Sequence, residues 1–245
     1  MNPDIVDAYQ ALRELSFGDS LSVQEVSHLI GSGPDPRLIL EVGANSGQTT
    51  VEFMQCMPEA RIICFEPDPR AIQKFKSHIH SPHISLVEIA VGADNGMVLF
   101  HQSSGAEHID PQGWDHSGSI RKPKTHLDVW PWVKFERQIP VPMMRLDDWA
   151  ANNQIGAVDF IWADVQGAES DLVVGAQQVL SRTRFFYTEF SDDEWYEGQV
   201  NFTTLSACLS GFSLLHKFAN DALFVSNQEL VQAIQSGLAH QQRLL

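Results

Sequence analysis

The stretch LILEVGANSGQTT, residues 38–50, decides the fold of this 245-residue chain. Its first five residues form a short apolar run broken only by Glu41, which is typical of a parallel strand buried on both faces. The glycine turn Gly43–Gly47 comes next, and a helical pattern then extends to Met57 before Pro58 interrupts it. Glycine tolerates unusual dihedrals and leaves the main chain bare. The stretch therefore predicts a site where a ligand approaches the backbone closely.

Further short apolar runs alternate with amphipathic segments along the rest of the chain. Strands are predicted at 61–65, 84–91, 139–144, 158–163 and 184–189, and helices at 69–79, 147–152, 168–180 and 202–209. This alternation predicts an α/β fold, a Rossmann-like, mostly parallel sheet with helices on both faces and right-handed crossovers. The segment FSLLHKFANDALFVS at 212–226 reverses at Asn220-Asp221 and predicts a C-terminal antiparallel hairpin.

The pattern favours one domain with an N-terminal extension and an insertion. Residues 1–36 are predicted to form a helical extension, with helices at 4–15 and 23–30, and residues 37–245 the main domain. Within that domain, the segment 101–138 is rich in Gly, Ser, Pro, His and Trp and shows no regular pattern. A connection of this length is typically a lid, a binding loop or a disordered segment, and the sequence leaves these three open.

The charge balance argues against several classes of protein. Lysine and arginine number 16 against 31 acidic residues, a net charge of −15 with histidine neutral, and no basic run occurs. Such a chain repels phosphate backbones and anionic lipid, so neither nucleic acid nor a membrane is an expected partner. The N-terminus lacks the pattern of a signal peptide, and no apolar run is long enough to predict a membrane span. The three cysteines form no CxxC pair, which favours the reducing cytoplasm.

The spacing within the glycine turn limits the classes of ligand that it can bind. A dinucleotide fingerprint requires glycines where this chain has Asn45 and Gln48, and no Lys-Ser/Thr pair follows as in a nucleotide phosphate loop. The turn therefore suits a ligand without phosphates. Glu66 ends the next strand, 23 residues after Gly43, where an α/β cofactor site places a carboxylate that accepts both ribose hydroxyls. A plain strand-to-helix turn and a solvated strand end are the alternatives, but together the two features indicate a nucleoside-bearing cofactor.

Five blocks carry a more specific resemblance, in order and in register: LEVGANSGQTT, CFEPDPRA, VEIAVGADNG, VPMMRLDDW and VDFIWADVQGAESDLVVGAQQVL. Over about residues 37–189 the chain resembles the FkbM family of S-adenosylmethionine-dependent methyltransferases of class I. The resemblance implies a seven-stranded sheet whose last strand is antiparallel and S-adenosylmethionine as the cofactor. It also implies O-methylation, in known members often of a sugar or polyketide hydroxyl.

The resemblance also implies which residues bind the cofactor. Those implied around its amino-acid part are Glu41, Gly43, Ala44, Asn45 and Gly47. Those implied at the ribose are Glu66 and Pro67, those at the adenine are Ala90 and Val91, and Asp164 would face both methyl donor and acceptor. In one respect this chain departs from the family, which often has Lys and Glu where this chain has Trp162 and Gln166.

Candidates for the catalytic base follow from chemistry, because an alcohol is a poor nucleophile until its proton is removed. Asp164 and Glu189 end neighbouring predicted strands, at the sheet edge where α/β proteins bind ligands. The alternatives are a helix N-cap for Asp164 and a solvated strand end for Glu189. His116 and His126 in the insertion are further candidate bases, or incidental histidines of a surface loop.

The remaining alternatives concern the metal, the tryptophans and the class of enzyme. A metal is left open, because acidic side chains serve as base or as ligand, although no HxH or HxxxH spacing occurs. Trp114, Trp130 and Trp132 stack on a planar acceptor or sugar, or form a small core under the insertion. Besides a methyltransferase, the pattern permits an NAD-dependent oxidoreductase or a catalytically inactive S-adenosylmethionine-binding protein. The acceptor and the oligomeric state stay open.

Overall fold

Strand β1 (Leu38–Val42) is the third strand of a seven-stranded sheet in the order β3-β2-β1-β7-β8-β10-β9. The computed structural model describes residues 17–31, 36–105 and 113–232. The other strands of this sheet are β2 (Arg61–Phe65), β3 (Ile84–Val87), β7 (Val158–Ala163), β8 (Thr183–Glu189), β9 (Phe212–Lys217) and β10 (Asp221–Ser226). Strands β1, β2, β3, β7 and β8 are parallel, whereas β10 runs antiparallel to both of its neighbours, β8 and β9. The α/β class, the mostly parallel sheet and the C-terminal hairpin are confirmed.

Helices connect these strands and cover both faces of the sheet. They are α1 (Val23–Ile30), α2 (Gln48–Cys56), α3 (Pro69–His78), α4 (His126–Val129), α5 (Leu146–Asn152), α6 (Glu169–Gly175), α7 (Gln177–Leu180) and α8 (Phe202–Cys208). Helix α1 begins with a capping box, in which the Ser22 side chain accepts from the Glu25 amide and Glu25 accepts from the Ser22 amide. The predicted helix at 4–15 lies outside the described residues. The sequence also predicts a helical tail at 228–238, of which the part beyond 232 lies outside them as well. None of the helices described is both long and apolar enough to cross a bilayer.

The apolar strands pack on both sides, as continuous hydrophobic runs predict. Leu40 and Ile161 contribute to one layer of the core, and Ile39 and Phe160 to the layer on the other face. These side chains are all completely buried. Because β1 pairs in parallel with both β2 and β7, the carboxyl ends of the three strands meet at one edge. This edge is where the glycine turn, Glu66 and Asp164 emerge.

A second, three-stranded sheet in the order β4-β6-β5 lies beside the first. It consists of β4 (Ala90–Val91), β5 (Gly96–Gly105) and β6 (Val133–Met144). The prediction of one strand over 84–91 is wrong, because the chain turns after Val87 and Ala90–Val91 pairs with Met143–Met144 instead. The strands β5 and β6 form a long hairpin that extends into the segment 101–138, where no regular structure was expected.

The predicted helix over 168–180 is divided into α6 and α7. A Cβ atom on Gly175 would lie 2.0 Å from the carbonyl oxygen of Gly92, so the chain makes a close backbone contact at the division. The Asp147 carboxylate accepts the amides of Gln178 and Val179 at the start of the second piece. A continuous helical pattern in the sequence gives no sign of a tertiary contact of this kind.

Candidate functional site

The glycine turn after β1 fixes the ends of three strands against one another. Gly43 has φ 89° and Gly47 φ 88°, both in the left-handed region that favours glycine. The amides of Gly43 and Ala44 both donate to the carbonyl of Phe65 at the end of β2. On the other side, a Cβ on Gly43 would lie 1.7 Å from the carbonyl oxygen of Asp164. The turn is therefore wedged between β2 and β7 with no space for a side chain at its first position.

Asn45, at the tip of the turn, has φ 47° and connects three parts of the site. Its amide donates to Glu66 Oε2 at 2.8 Å, and its side-chain Oδ1 accepts the Ser46 amide at 2.6 Å. Its Nδ2 donates to the backbone carbonyl of Asp115, in the insertion, at 2.9 Å. A non-glycine residue in this conformation is uncommon, and asparagine is among the residues that tolerate it.

A cavity of about 670 Å³ opens between these elements at the carboxyl edge of the sheet. Seven of the residues predicted to bind the cofactor line it, namely Gly43, Asn45, Glu66, Pro67, Ala90, Val91 and Asp164. The insertion closes one side of the cavity with Asp115, His116, Gly118 and Ile120. The structure thus brings most of the predicted set together, at the edge where open α/β sheets bind ligands.

Three residues of the predicted set do not line the cavity: Glu41, Ala44 and Gly47. Glu41 is buried behind the turn, where its Oε2 accepts from the Thr50 hydroxyl at 2.6 Å. Gly47 lies against the side chains of Phe75 and Ile79, and a Cβ there would be 2.2 Å from Ile79 Cδ1. Glu41 and Gly47 therefore support the turn from behind and do not face the cavity.

Glu66 is held by the backbone on both of its oxygens. Besides the Asn45 amide on Oε2, the amide of Asp68 donates to Oε1 at 2.7 Å. Burial raises the pKa of Glu66 to about 8, against the opposing effect of these two hydrogen bonds. Each oxygen keeps a free lone pair for a further donor, so the group is both fixed and available to a ligand.

Asp164 and Glu189 form a carboxyl pair at the ends of β7 and β8, where Glu189 is half-buried and Asp164 is open to the cavity. Gln166 bridges them, since its Nε2 donates to Asp164 Oδ1 at 2.6 Å and to Glu189 Oε2 at 3.0 Å. Desolvation by the surrounding protein raises the pKa of both carboxyls, and the charge of Asp164 raises that of Glu189 further. Like charges this close disfavour ionisation of both groups, and Asp164 is the one that gives up its proton more readily. Helix α6 begins only at Glu169, and the Asp164 side chain does not cap it.

Tryptophans line a second cavity, of about 600 Å³, that adjoins the first. Its aromatic walls comprise Trp114, Trp130, Trp132, Trp195, His116 and His126. Asp164, Gln166 and Glu189 form part of the same lining, and both Asp164 and His116 also line the first cavity. The residues common to both linings are Asp164, Gln166 and His116, so the two cavities meet there. We call the second one the tryptophan pocket.

The two candidate histidines occupy different environments. His126 is buried among Trp130, Phe135 and Tyr196, and burial lowers its pKa to about 4. It is therefore neutral at physiological pH and a weak base. His116 is partly exposed and lines both cavities, and its Nε2 is 3.6 Å from Asp115 Oδ1. Of the two, His116 is the one placed beside the carboxyl pair.

Several residues of the candidate site were not evident from the sequence. Asp115 and Trp195 are far from the glycine turn along the chain, and only the packing of the insertion brings them to the cavities. Gln166 carried a signal, because the resemblance noted in the sequence implies an acid at its position. It has φ 51°, and its Oε1 accepts from the Tyr196 hydroxyl at 3.0 Å. Among the described residues no group of three or more His, Cys, Asp or Glu side chains is arranged to hold a metal ion.

Three buried glutamates should make stability fall as the pH rises above neutrality. Burial raises the pKa of Glu41 and of Glu169 to about 7 and that of Glu66 to about 8. In the unfolded chain they ionise near pH 4.5, so between pH 6.5 and 8 the folded protein binds more protons than the unfolded chain. The free energy of unfolding is then expected to decrease with rising pH in this interval.

Urea unfolding at pH 6.5, 7.0, 7.5 and 8.0 measures how the free energy of unfolding changes with pH. His126 acts in the opposite sense, because its pKa is lowered on folding, but only below its ordinary value of 6.5. Glu41→Gln, which removes one of the titrating groups, should flatten the dependence. A wild-type stability that is constant or increasing over this interval would contradict the assignment.

The chain matches one family model and one characterised protein in sequence, and several solved structures can be superposed on most of its length. A family model described as the methyltransferase FkbM domain matches residues 41–229. The chain is 40% identical over 220 residues to the 2-O-methyltransferase NoeI of Sinorhizobium fredii (strain NBRC 101917 / NGR234), covering 87% of this chain and 89% of that protein. Among solved structures, an rRNA methylase from Streptococcus thermophilus has a TM-score of 0.44 at 8% identity, covering 83% of this chain and 93% of that one. Aeropyrum pernix fibrillarin with bound S-adenosyl-L-methionine has a TM-score of 0.42 at 16% identity, and the match covers 89% of this chain and 74% of the fibrillarin chain.

Proposed function

The chain belongs to the FkbM methyltransferase family, and from this premise we propose that it transfers the methyl group of S-adenosylmethionine to a ring hydroxyl of a sugar or similar small molecule. The observation that carries the proposal is the junction of two cavities at Asp164, whose carboxylate is paired with Glu189 through Gln166. One cavity has the character of a cofactor site and the other that of an acceptor site. Neither the oxidoreductase nor the inactive binding protein is favoured by the family match.

The first cavity fits an adenosyl group. Bare main chain at Gly43 and Asn45 permits close approach, the buried carboxyl of Glu66 offers acceptors for hydroxyls, and Ala90 and Val91 give an apolar wall for a planar base. The buried Oδ1 of Asp115 has no hydrogen-bond partner among the described residues. A buried polar atom without a partner indicates a place for a donor on a ligand.

Asp164 is the residue placed to receive the proton of the acceptor hydroxyl. The cofactor, when bound, supplies an electrophilic methyl group, and the protein aligns the acceptor oxygen and removes its proton. Asp164 lines both cavities, and Gln166 and Glu189 fix its carboxylate. The pKa of Glu189 is raised by the charge of Asp164, so we propose that the negative charge rests on Asp164 and the proton on Glu189. His116, on the same rim, is the second candidate to relay the proton outward.

The tryptophan pocket suits a sugar ring. Aromatic side chains pack against the apolar C–H faces of a ring, and a few polar groups fix its orientation, as in other small-molecule sites. The rings of Trp130 and Trp195 contact each other at 4.8 Å between centroids, and those of Trp114 and Trp132 at 5.0 Å. The relative NoeI is a 2-O-methyltransferase, so we propose the hydroxyl at ring position 2 as the acceptor.

The insertion 101–138 is proposed to act as a lid of the main domain 37–245, because it contributes walls to both cavities. The acidic balance of the chain supports a small-molecule acceptor rather than nucleic acid or a membrane, and the three cysteines are free, which supports a cytoplasmic location. No separate role is assigned to residues 1–36.

Methyl transfer from radiolabelled S-adenosylmethionine to a panel of methyl glycosides tests this function. We expect label in at least one glycoside, with the new methyl group on the position-2 oxygen by NMR, and no label in the matching 2-deoxy glycoside. Polyketide alcohols without a sugar ring serve as the comparison. Label found only in those alcohols, or in the 2-deoxy glycoside, would exclude the proposed acceptor.

Trp130→Ala should weaken binding of the acceptor but leave binding of the cofactor unchanged. Loss of one aromatic wall is expected to raise the KM of the glycoside by roughly tenfold, since an aromatic contact of this kind is worth about 1 kcal/mol or more. The affinity for S-adenosylhomocysteine by calorimetry should stay within twofold, because Trp130 does not line the first cavity. An equal loss of both affinities would indicate that the pocket is only a structural core.

A further inference from the structure

Asp115 brings an unpaired carboxylate oxygen from the insertion to the wall of the first cavity. The residue is 5% exposed and lies on the cavity lining beside Asn45 and Glu66. Its Oδ2 accepts from Lys74 Nζ at 2.7 Å, whereas its Oδ1 has no hydrogen-bond partner among the described residues, since His116 Nε2 lies 3.6 Å away, beyond hydrogen-bond length. Leaving such an oxygen without a hydrogen bond costs free energy, so the position suits a donor that the described part of the chain does not supply.

The position of Asp115 is coupled to that of Glu66 through a single residue. The Asn45 amide donates to Glu66, and the Asn45 side chain donates to the Asp115 carbonyl. The two carboxyls are also close enough that the charge of Asp115 contributes to the raised pKa of Glu66. The end of β2 and the insertion therefore present two acids to the same part of the cavity.

The chemistry of the missing donor follows from the charge at the site. Lys74, on helix α3, already balances the negative charge of Asp115 through their ion pair. A free oxygen in a balanced pair suits a neutral donor such as a hydroxyl, whereas a second cation would leave excess positive charge at a buried position. A pair of neighbouring hydroxyls is what two adjacent acids are suited to receive.

We propose that Asp115 is a cofactor-binding residue, whose Oδ1 accepts a hydrogen bond from a ribose hydroxyl of S-adenosylmethionine, opposite Glu66. This inference rests on the proposed function. It assigns the insertion a part in holding the cofactor as well as the acceptor. The Lys74–Asp115 ion pair and the Asn45 contact position the carboxylate for this bond.

Calorimetry with two probes tests the assignment: S-adenosylhomocysteine, and 5′-methylthioadenosine, which has the ribose but lacks the amino-acid part. Asp115→Ala should weaken both probes by a similar factor of about tenfold or more, because a hydrogen bond to a charged acceptor is lost. A loss confined to S-adenosylhomocysteine would overturn the proposal, since the partner would then be the ammonium group. Unchanged affinity for both probes would overturn it as well.

Lys74→Met is the matched control, because it breaks the same ion pair and keeps the carboxyl group. We expect its effect on methylthioadenosine binding to be clearly smaller than that of Asp115→Ala. Equal effects would mean that closing the insertion is all that matters, and would refute a direct bond. If the wild-type protein binds neither probe, the cofactor assignment itself fails. Wild-type binding with an unaffected Asp115→Ala variant removes only the present inference.

Discussion

Asp164→Asn is expected to lower kcat for methyl transfer by roughly 10²–10⁴-fold, the range that general-base catalysis usually contributes. The amide has nearly the shape of the carboxylate but cannot take a proton from the acceptor. Its side chain can still meet Gln166, so the shape of both cavities should persist. The affinity for S-adenosylhomocysteine by calorimetry is expected to stay within a few fold. Turnover must be measured on the glycoside that the wild-type protein methylates.

Two further variants make this result specific. Glu189→Gln removes the partner that holds the proton and should lower kcat less than Asp164→Asn, because the base itself remains. Asp193→Asn changes an exposed acid in the loop after β8 and should leave kcat unchanged. Full turnover by Asp164→Asn would remove Asp164 from the mechanism and leave His116 as the candidate base.

Gly43→Ala is expected to cost more than about 3 kcal/mol of stability, or to prevent folding. The new Cβ would lie 1.7 Å from the Asp164 carbonyl oxygen, a backbone atom that cannot move without separating β1 from β7. The residue would also have to adopt φ 89°. Urea unfolding measures the loss, and the affinity of any folded fraction for S-adenosylhomocysteine should fall with it.

Alanine substitutions at two other glycines serve as controls that separate the steric clash from the strain of the left-handed backbone. Gly113 has φ 81°, and a Cβ added there would meet no atom of the described residues within 4 Å, so Gly113→Ala reports mainly the cost of the left-handed backbone, about 1–2 kcal/mol. Gly156 has open space and an ordinary φ, so Gly156→Ala should be nearly neutral. A Gly43→Ala variant no less stable than Gly113→Ala would show that β1 and β7 can separate without penalty.

The sheet was predictable because burial on both faces leaves a strong local pattern. Runs such as Leu38–Val42 and Val158–Ala163 are almost wholly apolar, and their alternation with helices determines a parallel sheet. The division of the predicted strand 84–91 was not predictable, because Ala90–Val91 turns away to pair with a partner more than fifty residues later. Local sequence contains no information on a pairing of that kind.

The residues of the candidate site likewise fall into those that local sequence predicts and those that it does not. Glu66, Asp164 and Glu189 were identified because each directly follows or ends a strand at the sheet edge, which is a local property. Asp115 and Trp195 reach the cavities through the packing of the insertion against the loop after β8, where the Lys124 amide donates to the Trp195 carbonyl. The insertion contained two candidate histidines that the sequence could not distinguish, and the structure separates them by burial and by position.

The crowding of indole rings around one pocket gives the protein a built-in optical reporter. Of six tryptophans in the chain, four line the tryptophan pocket: Trp114, Trp130, Trp132 and Trp195. The other two, Trp149 and Trp162, pack in the core of the main sheet. Intrinsic fluorescence should therefore respond mainly to molecules that enter this pocket. Unlabelled sugars can be ranked by quenching or blue shift before any of them has been shown to be methylated.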